Sequence, residues 1–146
     1  MEATQIIEGK YYWSGTFKPY KKLLSPHMAR GLAELKWNEK TKIYEVSVIT
    51  IVFPEATPEK LKNALILEGS FETWTPGKIQ PTDKLLLDNV QRIPVGYALP
   101  RSEKRGHYDY DVKEVATDEK GVVKRITVRL ETEPTKGIIR FDRVED

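Results

Sequence analysis

Residues 106–112 read GHYDYDV. In extended backbone, successive side chains alternate between two faces, so His107, Asp109 and Asp111 share one side and Tyr108, Tyr110 and Val112 the other. An imidazole beside two carboxylates is the raw material of a metal site or an acid–base pair. Strand spacing weighs against both, because the three positions spread over roughly 13 Å and neighbours on one face stand about 7 Å apart. Lys113, expected on the same side, opposes a cation. The alternation also has a sufficient structural reading, with tyrosines and Val112 facing a core and charged groups facing water. His107, Asp109 and Asp111 are therefore catalytic candidates on one condition: that the polar face of this strand lines a barrel lumen, where burial raises carboxylate pKa values.

Two basic stretches suggest a different chemistry. Lys18, Lys21 and Lys22 lie in KPYKK, with His27 and Arg30 just beyond. Arg92, Arg101, Lys104 and Arg105 flank Tyr97 and Tyr108. Cations beside ring faces suit single-stranded nucleic acid, phosphates on the charges and bases on the rings. Glu103 interrupts the second stretch, and the formal net charge of the chain is only +2, so any polyanion site depends on local clustering.

The aromatic residues offer a third chemistry. Alternation places Trp13, Phe17, Trp37 and Phe71 on inward faces. With Trp74 and Tyr97 they are the candidates for holding a small apolar ligand in the mouth of a barrel. Packing in a core is the commoner role of such residues.

Other classes are excluded by composition and pattern. The absence of cysteine removes disulfides, thiolate metal sites and cysteine nucleophiles. No phosphate-binding glycine loop, dinucleotide fingerprint, HExxH or EF-hand pattern occurs, so neither metal nor cofactor is expected. Ser25 and His27 are too close in a loop to form a nucleophile–base pair on their own. The longest apolar run, Val46–Phe53, is too short to cross a bilayer as a helix, and no secretory leader pattern opens the chain. The expectation is a cytoplasmic protein without a membrane partner. A charged fraction of 32%, rich in Lys, Glu and Arg and poor in Asn and Gln, is typical of thermophile proteins.

The elements that must position these residues are mostly strands. Tyr11, Trp13, Gly15 and Phe17 alternate with Tyr12, Ser14 and Thr16. Ala33, Leu35 and Trp37 lead through the turn NEKT into a strand over 42–53, apolar on both faces near its middle. In TPEKLKNAL, Thr57 is a good helix cap and Pro58 a good first position, predicting a short helix near 58–65. Leu65, Leu67, Gly69 and Phe71 then alternate again. Prolines 76, 81, 94 and 100 break up residues 75–106, which read as an irregular lid or interaction segment, with 84–90 either a strand or a helical turn. Residues 107–116 and 122–131 form a hairpin around TDEKG, and a last strand runs over 137–144. Two echoes, SGTFK with EGSFE and NEKTKIYEVSV with DEKGVVKRITV, admit an internal duplication.

The sequence thus predicts one mainly β domain over 1–146. It is an antiparallel barrel or strongly curled sheet of about seven strands with one short helix; a two-layer sandwich is the alternative. The favoured function is a non-catalytic binding module for a small ligand or macromolecular partner, using one barrel rim and the 75–106 segment. A barrel for single-stranded nucleic acid comes second, and an enzyme with a carboxylate-lined lumen third. Exposed sheet edges would also admit a homodimer.

Overall fold

A computed structural model describes residues 5–18, 27–54, 63–94, 107–130 and 136–145. They form eight strands: β1 (Gly9–Lys18), β2 (His27–Asn38), β3 (Ile43–Pro54), β4 (Asn63–Glu72), β5 (Lys84–Pro94), β6 (His107–Thr117), β7 (Val123–Leu130) and β8 (Lys136–Arg143). Each pairs antiparallel with the next, and β1 pairs with β8, closing the barrel. Closure removes the free edges through which a sheet could recruit a second copy.

Inward positions follow the alternation. Tyr11 and Trp13 on β1, Ala33 and Leu35 on β2, and Val46 and Val48 on β3 are buried. So are Leu65, Leu67 and Phe71 on β4, Leu85 and Leu87 on β5, and Tyr110 and Val112 on β6. Ile126, Val128 and Leu130 on β7 and Ile139 and Phe141 on β8 complete the core. Charged side chains such as Lys36, Glu45, Glu68, Asp109 and Arg125 stand outside. Among the described residues no helix is long and apolar enough to cross a membrane.

Curling eight strands into so narrow a cylinder needs local departures from regular pairing. Register shifts occur at Ile66/Leu67 opposite β5, at Val112/Glu114 opposite β7, and at Ala116/Thr117 near the end of β6. At the inward position Gly69, a Cβ would run into the Leu86 carbonyl, and at Gly31 into the backbone of Ile49 and Thr50. These glycines let neighbouring strands approach more closely than a side chain would allow.

Two predicted features change. The strand β5 occupies 84–94, so the irregular stretch divides into a compact loop over 73–83 and residues 95–106, which lie outside the described set. Three consecutive leucines and a proline at the strand's end concealed its alternation. The helix signal at 57–62 also lies outside the described residues, while 63–65 already belong to β4. The hairpin echo falls on corresponding strand pairs, β2–β3 and β6–β7, but SGTFK and EGSFE lie on β1 and β4, which run in opposite directions.

One end of the barrel is sealed. Gly9, the 38–43 and 117–123 turns, the 73–83 loop and Arg143 gather there, and Ile7 and Ile79 are buried across it. The Gln5 side chain pairs with the backbone of Ile79, accepting from its N–H at 2.9 Å and donating to its carbonyl at 3.1 Å. The Val123 N–H donates to the Ile6 carbonyl at 2.9 Å. At the far end lie Lys18, His27, Pro54, Asn63, Pro94, His107, Leu130 and Lys136.

Candidate ligand site in the barrel interior

The GHYDYDV strand turns its tyrosines inward. Tyr110 and Val112 are buried at 2% and 1% exposure, and Tyr108 packs half-buried on the core. Burial pushes the Tyr110 phenol well above its usual pKa. Asp109 is exposed and Asp111 half-exposed, both on the outer surface. The condition for a carboxylate-lined lumen is therefore not met, and these aspartates do not face the interior as an acid–base pair. His107 opens β6, with its side chain outside the described set. Among the described residues no cluster of His, Asp and Glu could hold a metal ion.

Of the aromatic candidates, Trp13 and Phe71 meet in the sealed half through Phe141. The Trp13 and Phe141 rings lie edge to face with centroids 4.9 Å apart, and Phe71 stands 6.1 Å from Phe141. Tyr11 adds a second edge-to-face contact with Phe141 at 6.2 Å. Trp37 is half-buried at the sealed rim, tilted against Tyr44 at 4.8 Å and donating to Glu39 at 2.6 Å. Phe17 lies toward the far end, packed against the core. Trp74 is 79% exposed on the sealed end and takes no part in the interior. Tyr97 lies outside the described residues. These residues are thus spread along the barrel axis.

One polar atom in this apolar interior has no partner among the described residues. Trp13 is 1% exposed, yet its indole N–H makes no hydrogen bond. Its cross-strand partners are Gly31 on β2 and Phe141 on β8, neither of which carries a side-chain acceptor. Beyond Gly31 comes Thr50, buried, whose hydroxyl donates to the Arg30 carbonyl at 3.0 Å. An indole donor taken out of water without an acceptor costs about 1–3 kcal/mol, so buried donors normally find partners. Toward the far end the wall continues with Ala29, Val52, Leu65 and Leu130, and with Phe17 and Tyr108 half-buried. Among the described residues the buried wall of the barrel carries no charged side chain, and their one buried carboxylate, Asp83, sits in the sealing loop.

Sequence reasoning missed Asp83. Its carboxylate accepts from the Trp74 amide at 2.9 Å and the Gln80 amide at 2.8 Å, and so organises the 73–83 loop. The backbone of the loop is stitched to β6 by Thr82 N–H donating to Val112 and Val112 N–H donating to Asp83. The available signal was PTDK, a proline turn closed by an aspartate.

Of the polyanion candidates, Lys18 ends β1 and Arg92 lies in β5, their side chains outside the described set. Lys21, Lys22, Arg101, Lys104 and Arg105 lie outside the described residues altogether. The strand ends that flank both basic stretches, Lys18 with His27 and Pro94 with His107, belong to the same far end.

No family model, no curated protein and no solved structure matches this chain.

Proposed function

We propose that the protein is a non-catalytic binding barrel whose interior takes a small, neutral, largely apolar ligand with one hydrogen-bond acceptor. The observation that carries this reading is the buried Trp13 indole N–H without a partner among the described residues. A closed barrel of eight strands is just wide enough to be filled by side chains or to hold one small molecule. Here aromatic rings fill the sealed half, and the donor stands in a wall whose described residues carry no charge and whose nearby Thr50 hydroxyl is already engaged with the Arg30 carbonyl. An acceptor on the ligand satisfies the indole, and apolar contact supplies most of the affinity. Charge is disfavoured in the ligand, because the described wall offers no counter-ion. Entry is through the far end, since Ile7, Ile79 and the 73–83 loop occupy the other.

The test uses Nile red, a neutral aromatic ketone dye, and a Trp37→Phe/Trp74→Phe variant that leaves Trp13 as the only indole. Saturable binding that is insensitive to salt and perturbs Trp13 emission is expected. Trp13→Phe in the natural background should weaken binding about tenfold, the worth of one hydrogen bond in a dry site. Lack of saturable binding, or equal affinity in the Trp13→Phe variant, overturns the proposal.

A second reading, single-stranded nucleic acid at the far rim, is supported by the shared position of the strand ends that flank the two basic stretches. It differs in salt dependence. Binding of a single-stranded oligonucleotide should weaken steeply as salt rises and drop further in an Arg101→Ala/Arg105→Ala variant.

A further inference from the structure

The sealed end presents a tryptophan on a rigid support. Thr75, Pro76, Gly77 and Lys78 make a tight turn, closed by the Lys78 N–H donating to the Thr75 carbonyl at 3.2 Å. Proline in its second place and glycine in its third, at a φ of +78°, are what a type II turn requires. The Asp83 carboxylate fixes the Trp74 amide, and the Thr82 N–H ties the other side of the loop to Val112. Trp74 is nevertheless 79% exposed, and among the described residues its indole meets neither another ring nor an acceptor.

Trp74 borders a hollow of about 470 Å³ whose lining includes Lys42, Glu72, Thr73, Thr82 and Lys84. Small-molecule sites span roughly 300–1,000 Å³. Lys42 and Thr82 are the two described non-glycine residues with positive φ, +59° and +80°, and both line this hollow. Lys42 closes the hairpin turn between β2 and β3, where left-handed residues are ordinary. Thr82 is different, because a β-branched residue in that region costs roughly 1–2 kcal/mol that glycine would avoid. Strain of this kind collects at binding sites, where a side chain is kept for what it touches.

The cations of the hollow are already compensated. Lys42 pairs with Glu39, and Lys84 stands between Glu72 and Asp111 in the cross-strand register. A polyanion finds no spare positive charge here. A proline-rich peptide needs a groove lined by several rings, and Trp74 is the one aromatic residue in the described lining. A wholly apolar ligand would strip water from Glu72 and Lys84. The chemistry that fits is uncharged, with a flat apolar face and hydroxyls around its edge.

We infer that this hollow binds a pyranose sugar stacked on Trp74. An all-equatorial ring such as β-glucose shows axial C–H bonds on both faces, and their positive hydrogens suit the negative face of an indole. Its hydroxyls can donate to Glu72, accept from Lys84, and do either with Thr73 and Thr82. The site lies at the opposite end of the barrel from the entrance to the interior and does not depend on it.

The test titrates the intact protein with cellobiose, followed by calorimetry and by the Trp74 indole N–H signal in NMR spectra. Saturable binding with a Kd on the order of 1 mM, indifferent to salt, is expected. Sorbitol, which carries the hydroxyls of glucose on an open chain, should not bind. Trp74→Ala should abolish binding with an unchanged circular dichroism spectrum, and Trp74→Phe, with a smaller ring, should weaken it about three- to tenfold. Thr82→Gly should unfold at a higher urea concentration yet bind about three- to tenfold less tightly. Absence of saturable binding overturns the inference, as does equal binding of sorbitol. Unchanged cellobiose affinity in Trp74→Ala or in Thr82→Gly overturns it too. So does a Trp74 signal that responds to oligothymidylate or to a proline-rich peptide and not to cellobiose.

Discussion

The guanidinium of Arg143 lies 4.8 Å from the centre of the Tyr11 ring and donates to the Tyr11 hydroxyl at 2.7 Å. The same group also donates to the carbonyls of Ile6, Ile7, Glu8 and Val123, and the Tyr11 hydroxyl in turn donates to the Ile7 carbonyl. One planar fork thus ties the segment before β1 to the start of β7 across the sealed end. Arg143→Met, which keeps the aliphatic stem, leaves several acceptors unserved and should lower stability by about 2–4 kcal/mol in urea unfolding. Arg143→Lys should recover only part of this, because an ammonium cannot match the fork.

The same pair sets a response to alkali. Burial raises the Tyr11 pKa from 10 to about 12, opposed by Arg143, and burial also raises that of Tyr110. A folded-state pKa above the unfolded value means that the native state holds its proton longer. The stabilisation is complete below pH 10 and is lost as pH rises from 10 through 12. Tyr11 alone accounts for about 3 kcal/mol of that loss. Unfolding midpoints measured from pH 8 upward should be flat and then fall. The fall should be shallower in Tyr11→Phe and should persist in part through Tyr110. A midpoint that stays level through this range contradicts the assignment.

Asp83 organises the sealing loop through two backbone amides. In Asp83→Asn one of the two acceptors becomes a donor that faces an N–H. Stability should drop by about 1–3 kcal/mol, and the amides of Trp74 and Gln80 should exchange with solvent faster than those of β3.

Glycine substitutions should separate crowding from backbone conformation. Gly69→Ala drives a methyl group into the Leu86 carbonyl, and Gly31→Ala into Ile49, with backbone that cannot step aside. Each should cost about 3 kcal/mol or more, or prevent folding. Gly77 has open space around it but a φ of +78°. Gly77→Ala should therefore cost only about 1 kcal/mol, the strain of a left-handed residue. Equal effects at Gly69 and Gly77 would refute this distinction.

Period-two alternation carried most of the fold. It placed Trp13, Leu35, Phe71, Ile126 and Phe141 inside, and it required no knowledge of the barrel. It failed where both faces of a strand are apolar, as at Leu85–Leu87, and where proline bounded the strand. The Thr57–Pro58 helix signal carried no information about residues 63–65, which pair with β3 and β5 instead. Trp37 shows another limit: alternation names a face but not the height along the barrel axis, and Trp37 falls at the sealed rim, while Trp74 lies in the loop after β4, where alternation does not apply. Asp83 had only the local signal PTDK, and its carboxylate partners, Trp74 and Gln80, lie within nine residues of it. The lone Trp13 donor could not be read at all, because it is defined by Gly31 and Phe141, which come from distant parts of the chain.

The pairing of β1 with β8 also has a consequence in time. Tyr11 aligns with Arg143, 132 residues later in the sequence. At roughly 5–20 residues per second of synthesis, β1 waits about ten seconds for its last partner to be made. Without β8 (Lys136–Arg143) the seven earlier strands can make only an open sheet with two unsatisfied borders, and its arrival closes the cylinder. A nascent chain stalled before β8 should therefore engage chaperones and other nascent chains, and release of the final strand should end that engagement.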